Sequence, residues 1–96
     1  MVSEILYLRL KAIYFNEIKR GLKHEEYRLV CKYWDTRLKD RTYKWIHITK
    51  GYPSRIKISR ENCLRFPWKG YTIKKITHQL WGNQEKEVYA IKLERD

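Results

Sequence analysis

Ninety-six residues, 22 of them lysine or arginine against 11 acidic, give a formal net charge of +11. A chain of this length suits one domain spanning residues 1–96, and its 43% hydrophobic and 15% aromatic content excludes a disordered basic tail. No stretch approaches the roughly 20 apolar residues that a membrane helix needs. The first ten residues, with Glu4 and Arg9, lack a signal-peptide run, and Cys31 and Cys63 form no CxxC pair, which points to a reducing, cytoplasmic setting with each thiol a small buried residue.

The first predicted strand is Ile5 to Lys11, where Leu6, Leu8 and Leu10 alternate with Tyr7, Arg9 and Lys11. One main helix follows over about residues 12–21, its core stripe built of Tyr14, Phe15, Ile18 and Leu22. Gly21 closes it, and Lys19 and Arg20 suit the negative end of the helix dipole. A second strand runs from Glu25 to Lys32, with Tyr27, Leu29 and Cys31 directed to the core and Glu26 and Arg28 sharing the opposite face. Tyr33 to Arg41 reads as a turn with at most one helical turn at Thr36 to Leu38. Tyr33 and Trp34 either wall a pocket or close one end of the fold. Tyr43 to Thr49 is a third strand, with Tyr43, Trp45 and His47 on one face and Ile46 and Ile48 on the other. Gly51 to Ser54 is a turn, and Arg55 to Ile58 alternates like an edge strand. Ser59 to Asn62 opens a helical turn, and Phe66 to Gly70 breaks regular structure. Tyr71 to His78 and Glu87 to Glu94 are the last strands, separated by a loop at Trp81 to Asn83. Five or six short, mostly antiparallel strands and one helix are expected to close as a small α+β barrel.

The informative stretch is Gly21 to Arg28, where a glycine turn delivers Lys23, Glu26 and Arg28 to one place. An ordinary surface ion pair on a capped strand is the plainer reading. The order Gly21, Lys23, Glu26, Arg28, with Lys69-Gly70-Tyr71, Gly82 and Glu87-Val88-Tyr89-Ala90-Ile91 further on, resembles the ASCH domains, relatives of the PUA fold that binds RNA. The resemblance covers almost the whole chain. It implies a PUA-like barrel and a pocket formed by the Gly-x-Lys-x-x-Glu-x-Arg signature. One branch of that family, the bacterial 4-acetylcytidine amidohydrolases, is thought to use the signature lysine, a threonine three residues later and a distant glutamate. Here Lys23 matches the lysine, Glu26 stands at the threonine position, and Glu61, Glu85 and Glu87 are candidates for the distant carboxylate.

No nucleophile elbow, phosphate loop or HExxH is present, and His24, His47 and His78 are scattered. No metal or cofactor is expected. Between Lys50 and Lys75 eight basic residues face Glu61 alone, a concentration that favours a polyanion. The candidate contacts to RNA or a nucleoside are Gly21, Lys23, Glu26, Arg28, Arg65, Trp68, Lys69, Lys74 and Lys75. Cations would hold phosphates, and Trp68, in a loop between proline and lysine, would stack on a base, while Phe66 and Tyr71 belong to the core. Two further readings stay open: a small RNA-processing hydrolase with Lys23 and Glu26 as the acid/base pair, and a basic adaptor for an acidic protein. A monomer without membrane contact is assumed throughout.

Overall fold

A computed structural model describes residues 4–51, 62–78 and 81–95. The expectations for Tyr52 to Ser54, Arg55 to Ile58 and Ser59 to Glu61 fall outside these residues, and so do Met1 to Ser3. Leucines at every second position make β1 (Ile5–Leu10) a strand with one apolar face: Leu6, Leu8 and Leu10 are buried, and Tyr7 and Arg9 are exposed. Lys11 is extended and offers no side-chain cap to α1 (Ala12–Lys19), as expected from a sequence without Ser, Thr, Asp or Asn there. The helix ends earlier than the spacing implied. Gly21, at φ 76°, donates its N–H to the Ile18 carbonyl at 3.0 Å, and Leu22 donates to the Glu17 carbonyl at 2.9 Å. This pair of bonds is a Schellman closure. It also turns Leu22 out of the helical stripe, so Leu22 is 71% exposed while Phe15 and Ile18 are buried.

After β2 (Glu25–Leu29), Cys31 is extended and begins a second helix, α2 (Lys32–Leu38), in place of the expected strand end and turn. Asp35 sits in its first turn, where the helix dipole favours an acid, and Leu38 is buried. Tyr89 donates its hydroxyl to Asp35, tying α2 to the last strand. Burial, then that hydrogen bond, pushes the Tyr89 phenol far above its ordinary range. β3 (Trp45–Lys50) has the alternation expected of it, with Ile46 and Ile48 buried and Trp45 and His47 half-buried. β4 (Cys63–Pro67) runs through the Phe66 position where the sequence suggested a break. Phe66 is a core residue, and Pro67, which has no N–H to give, lies at the end of an edge strand. β5 (Tyr71–Thr77) and β6 (Glu85–Lys92) complete the chain.

The strands form two three-stranded sheets, β1-β3-β4 and β2-β6-β5, around one apolar core. Among the described residues no ladder joins the sheets, so a single closed barrel is not formed. The first pair is parallel, Ile5 opposite Trp45, because the chain returns to β1 by a long crossover through α1, β2 and α2. The other pairs are antiparallel. The core joins Leu6, Leu8 and Leu10 to Ile46, Ile48, Leu64 and Phe66, with Phe15, Ile18 and Leu38 from the helices and Tyr89, Ile91 and Leu93 from the end of the chain. Each such side chain contributes about 1.5–3 kcal/mol on burial.

Sheet β2-β6-β5 reverses one expectation. Directly paired residues of an antiparallel ladder share a face. Glu26 pairs with Ile91 and Arg28 with Tyr89, both core residues, whereas Tyr27 and Leu29 pair with Ala90 and Val88. The central strand β6 decides which face is inward, and it takes Glu26 with it. Glu26 is 4% exposed, while Tyr27 and Leu29 are only half-buried. The cysteines also depart from expectation: Cys31 is exposed, and Cys63 is half-buried, with burial pushing its thiol up.

Candidate functional site

Three residues, Leu22 to His24, separate Gly21 from β2, and they carry Lys23 back alongside the strand. There Lys23 Nζ lies 3.3 Å from Glu26 Oε1, and Arg28 Nη2 lies 3.0 Å from Glu26 Oε2. The same Oε1 accepts the Tyr27 backbone N–H at 3.1 Å, and Arg28 Nη2 also donates to the Arg9 carbonyl at 2.9 Å. Desolvating a carboxylate is costly unless it is paired and hydrogen-bonded, and Glu26 is both. The Arg28 guanidinium carbon stands 4.9 Å from the ring centre of Trp34, and Lys23 Nζ lies 5.3 Å from Tyr14 and 5.2 Å from Tyr27. Trp34 does not line the cleft; it packs against the core with the Arg28 guanidinium over its ring.

These groups line an open cleft of about 240 Å³. One wall is the β1–α1 junction with Arg9, Leu10, Lys11 and Tyr14, the floor is β2, and the third side is the end of the β5–β6 hairpin with Ile76, His78 and Trp81. The imidazole of His78 lies 5.5 Å from the Trp81 ring and 6.5 Å from Tyr14, so the cleft has an aromatic side facing its charged floor. Among the described residues, four cationic side chains and a single carboxylate line it. A carboxylate has about four acceptor positions. Glu26 gives three of them to Lys23, Tyr27 and Arg28, and one on Oε2 is left for a donor from outside. Arg28 Nε is buried with no hydrogen-bond partner among the described residues.

The structure therefore brings together Lys23, Glu26 and Arg28, with Gly21 shaping the turn behind them. It does not bring the other candidates to this cleft. Arg65 is exposed on β4 with its guanidinium 3.8 Å from the centre of Trp45. Trp68 is no free stacking platform: it is half-buried, edge-on to Tyr43 at 5.1 Å and to Tyr71 at 6.5 Å, and packed on the core. Lys69 is exposed in the turn before β5. Lys74 Nζ is bound to Glu25 at 2.8 and 3.0 Å on the far face of the sheet; its hydrogen bond holds the Glu25 carboxyl below its ordinary range. Lys75 stands opposite Glu87 in the β5–β6 ladder. Glu85 and Glu87 do not reach the cleft, and Glu61 is outside the described residues.

Arg9, Lys11, Tyr14, His78 and Trp81 line the cleft without having been legible as site residues. The end of β1, whose Arg9 carbonyl accepts from Arg28, and the end of the β5–β6 hairpin bring them there. Among the described residues no group of His, Cys, Asp and Glu could hold a metal ion, and no helix is long and apolar enough to cross a membrane. Compared with protein-family models, with curated proteins and with solved structures, the chain gives no match.

Proposed function

We propose that this chain is a single RNA-binding domain related to the ASCH and PUA-like proteins, and that its cleft takes one nucleobase, free as a modified nucleoside or carried on RNA. The observation that carries the reading is the nearly buried Glu26 carboxylate, held between Lys23 and Arg28 on the floor of an aromatic-sided cleft. A base has amino and carbonyl groups on one edge and a flat apolar face. The remaining Glu26 acceptor position suits the amino group, the Arg28 and Lys23 donors suit the carbonyl, and the Trp81 and Tyr14 side suits the face. The volume of about 240 Å³ is below that of most drug-sized sites and fits one base better than a longer ligand. Lys11 and Arg9 at the rim would meet the attached phosphates.

Binding is favoured over hydrolysis by the accounting at Glu26. Three of the Glu26 acceptor positions are taken by the protein, and the one left on Oε2 is the position the amino group of the base would fill, which leaves none for a substrate hydroxyl. The test is fluorescence anisotropy with a labelled single-stranded RNA of random sequence, about eight nucleotides long, titrated between about 50 and 200 mM salt. Binding that weakens with salt, and is lost in Lys23→Ala and Arg28→Ala, supports the reading. Parent protein that binds neither the RNA nor any of the common nucleosides at the lowest salt refutes it, and RNA cleavage by the parent, abolished by Glu26→Gln, replaces it with the hydrolase.

A further inference from the structure

The outer face of sheet β1-β3-β4 has an organisation the cleft does not explain. Register sets three rows across it: Ile5, Trp45 and Pro67; Tyr7, His47 and Arg65; and Arg9, Thr49 and Cys63, of which Thr49 is buried. Their neighbours along each strand, Leu6, Leu8, Ile46, Ile48, Leu64 and Phe66, point the other way into the core. The middle row places a tyrosine, an imidazole and a guanidinium side by side. Tyr7 is 59% exposed and meets the His47 ring edge-on at 5.6 Å and 87°. Arg65 is exposed and lies over Trp45 at 3.8 Å. No residue of the three rows is acidic. Burial, then the nearby Arg65, holds His47 below its ordinary pKa, so near neutral pH it serves as a ring and not as a further cation.

From these rows we infer that the outer face of β1-β3-β4 is a second contact surface for single-stranded RNA, stacking a base on Tyr7 and holding the adjoining backbone with Arg9 and Arg65. The inference rests on the nucleobase reading of the cleft and extends it to the neighbouring nucleotides. Charge and chemistry both select this occupant: two arginines on rows that hold no acidic residue suit a polyanion, and an exposed aromatic ring on the same face suits a base. Continuity selects it too. Arg9 belongs to both places, lining the cleft while its backbone carbonyl accepts from Arg28, and it leads along β1 to Tyr7 two residues away. Those two residues span about 7 Å of strand, a step that one nucleotide of an extended chain can bridge. A strand with a base in the cleft is thus led onto the sheet.

The experiment compares the labelled RNA of about eight nucleotides with a single nucleotide that fills the cleft alone. Variants are Tyr7→Ala, Tyr7→Phe, Arg65→Ala and Lys23→Ala, with circular dichroism to check folding. Tyr7→Ala is expected to weaken the RNA complex by about five- to a hundredfold and to leave the single nucleotide unaffected, while Tyr7→Phe keeps the affinity. Arg65→Ala is expected to lower RNA affinity and reduce its salt slope by about 0.7. RNA affinity unchanged in both Tyr7→Ala and Arg65→Ala, with Lys23→Ala still impaired, overturns the sheet surface and leaves the cleft reading standing. The reverse pattern overturns the cleft reading. Poly-glutamate binding that is weakened by Tyr7→Ala and Arg65→Ala, with RNA binding sensitive to neither, assigns the face to an acidic protein and also overturns the inference.

Discussion

Replacing Glu26 by glutamine tests whether one carboxylate holds the cleft together. Glutamine keeps the shape and can still accept the Tyr27 N–H, but it leaves Lys23 and Arg28 as two cations without their shared anion. Removing one partner of a buried pair costs about 3–5 kcal/mol. Here the carboxylate is 5% exposed, but Lys23 and Arg28 keep 22% and 20% of their surface in water and recover part of their hydration. The expected loss is therefore nearer 2–3 kcal/mol, which for a domain of this size lowers the melting temperature by roughly 10–20 °C. Thermal unfolding followed by far-ultraviolet circular dichroism reads it directly. A cycle with Arg28→Gln and the double variant should show coupling of about 1–3 kcal/mol, because Glu26→Gln has already removed what Arg28 was paired with. A melting temperature within about 3 °C of the parent, or strictly additive losses, would refute the reasoning and return these residues to a solvated surface ion pair.

The remaining predictions address the same region by other routes. Converting all three charges to apolar side chains, Lys23→Met with Glu26→Leu and Arg28→Leu, should leave urea stability equal to the parent or up to about 4 kcal/mol higher while abolishing RNA binding; a variant that unfolds instead would mean the cluster is a structural requirement. Gly21→Ala should cost about 1–2 kcal/mol although no atom lies within 4 Å of the added methyl position, since the whole penalty is the φ of 76°. Gly21→Asn should cost less, and equal losses for the two would remove the backbone explanation. His47, held below its ordinary value of 6.5, binds its proton less readily in the native chain than in the unfolded one. Its share of stability is therefore complete above pH 6.5 and lost as pH falls through the native value. Melting curves of His47→Gln against the parent should show a shallower decline below pH 6.5, and parallel declines would refute the assignment.

What could be read from the sequence was whatever its near neighbours decide. Leucines at alternate positions suffice for β1, Ile46 and Ile48 for β3, and a glycine after an amphipathic run for the end of α1. The trio of Lys23, Glu26 and Arg28 was legible for the same reason, since one turn and four strand residues hold it. What was missed depends on partners distant in the chain. The inward face of β2 looked like Tyr27 and Leu29 until β6, with Tyr89, Ile91 and Leu93, set the opposite side. The helix α2 has only Leu38 fully buried and a cysteine where a hydroxyl or amide cap would have marked its start. Trp68 looked exposed because it sits between a proline and a lysine, but Tyr43 and Tyr71 come to it from two other segments. Trp81 and Arg9 reach the cleft by topology alone.

The parallel pairing of β1 with β3 has a kinetic consequence. Ile5 must find Trp45 across forty residues, whereas Thr77 and Glu85 are joined by a short hairpin. Closing the longer loop costs more chain entropy before any contact repays it, so the hairpin zips early and β1 docks late. The cleft borrows a wall from each. Ligand-binding competence should therefore be the last property regained on refolding and the first lost on unfolding, with amides of β1 exchanging with solvent ahead of those of β6.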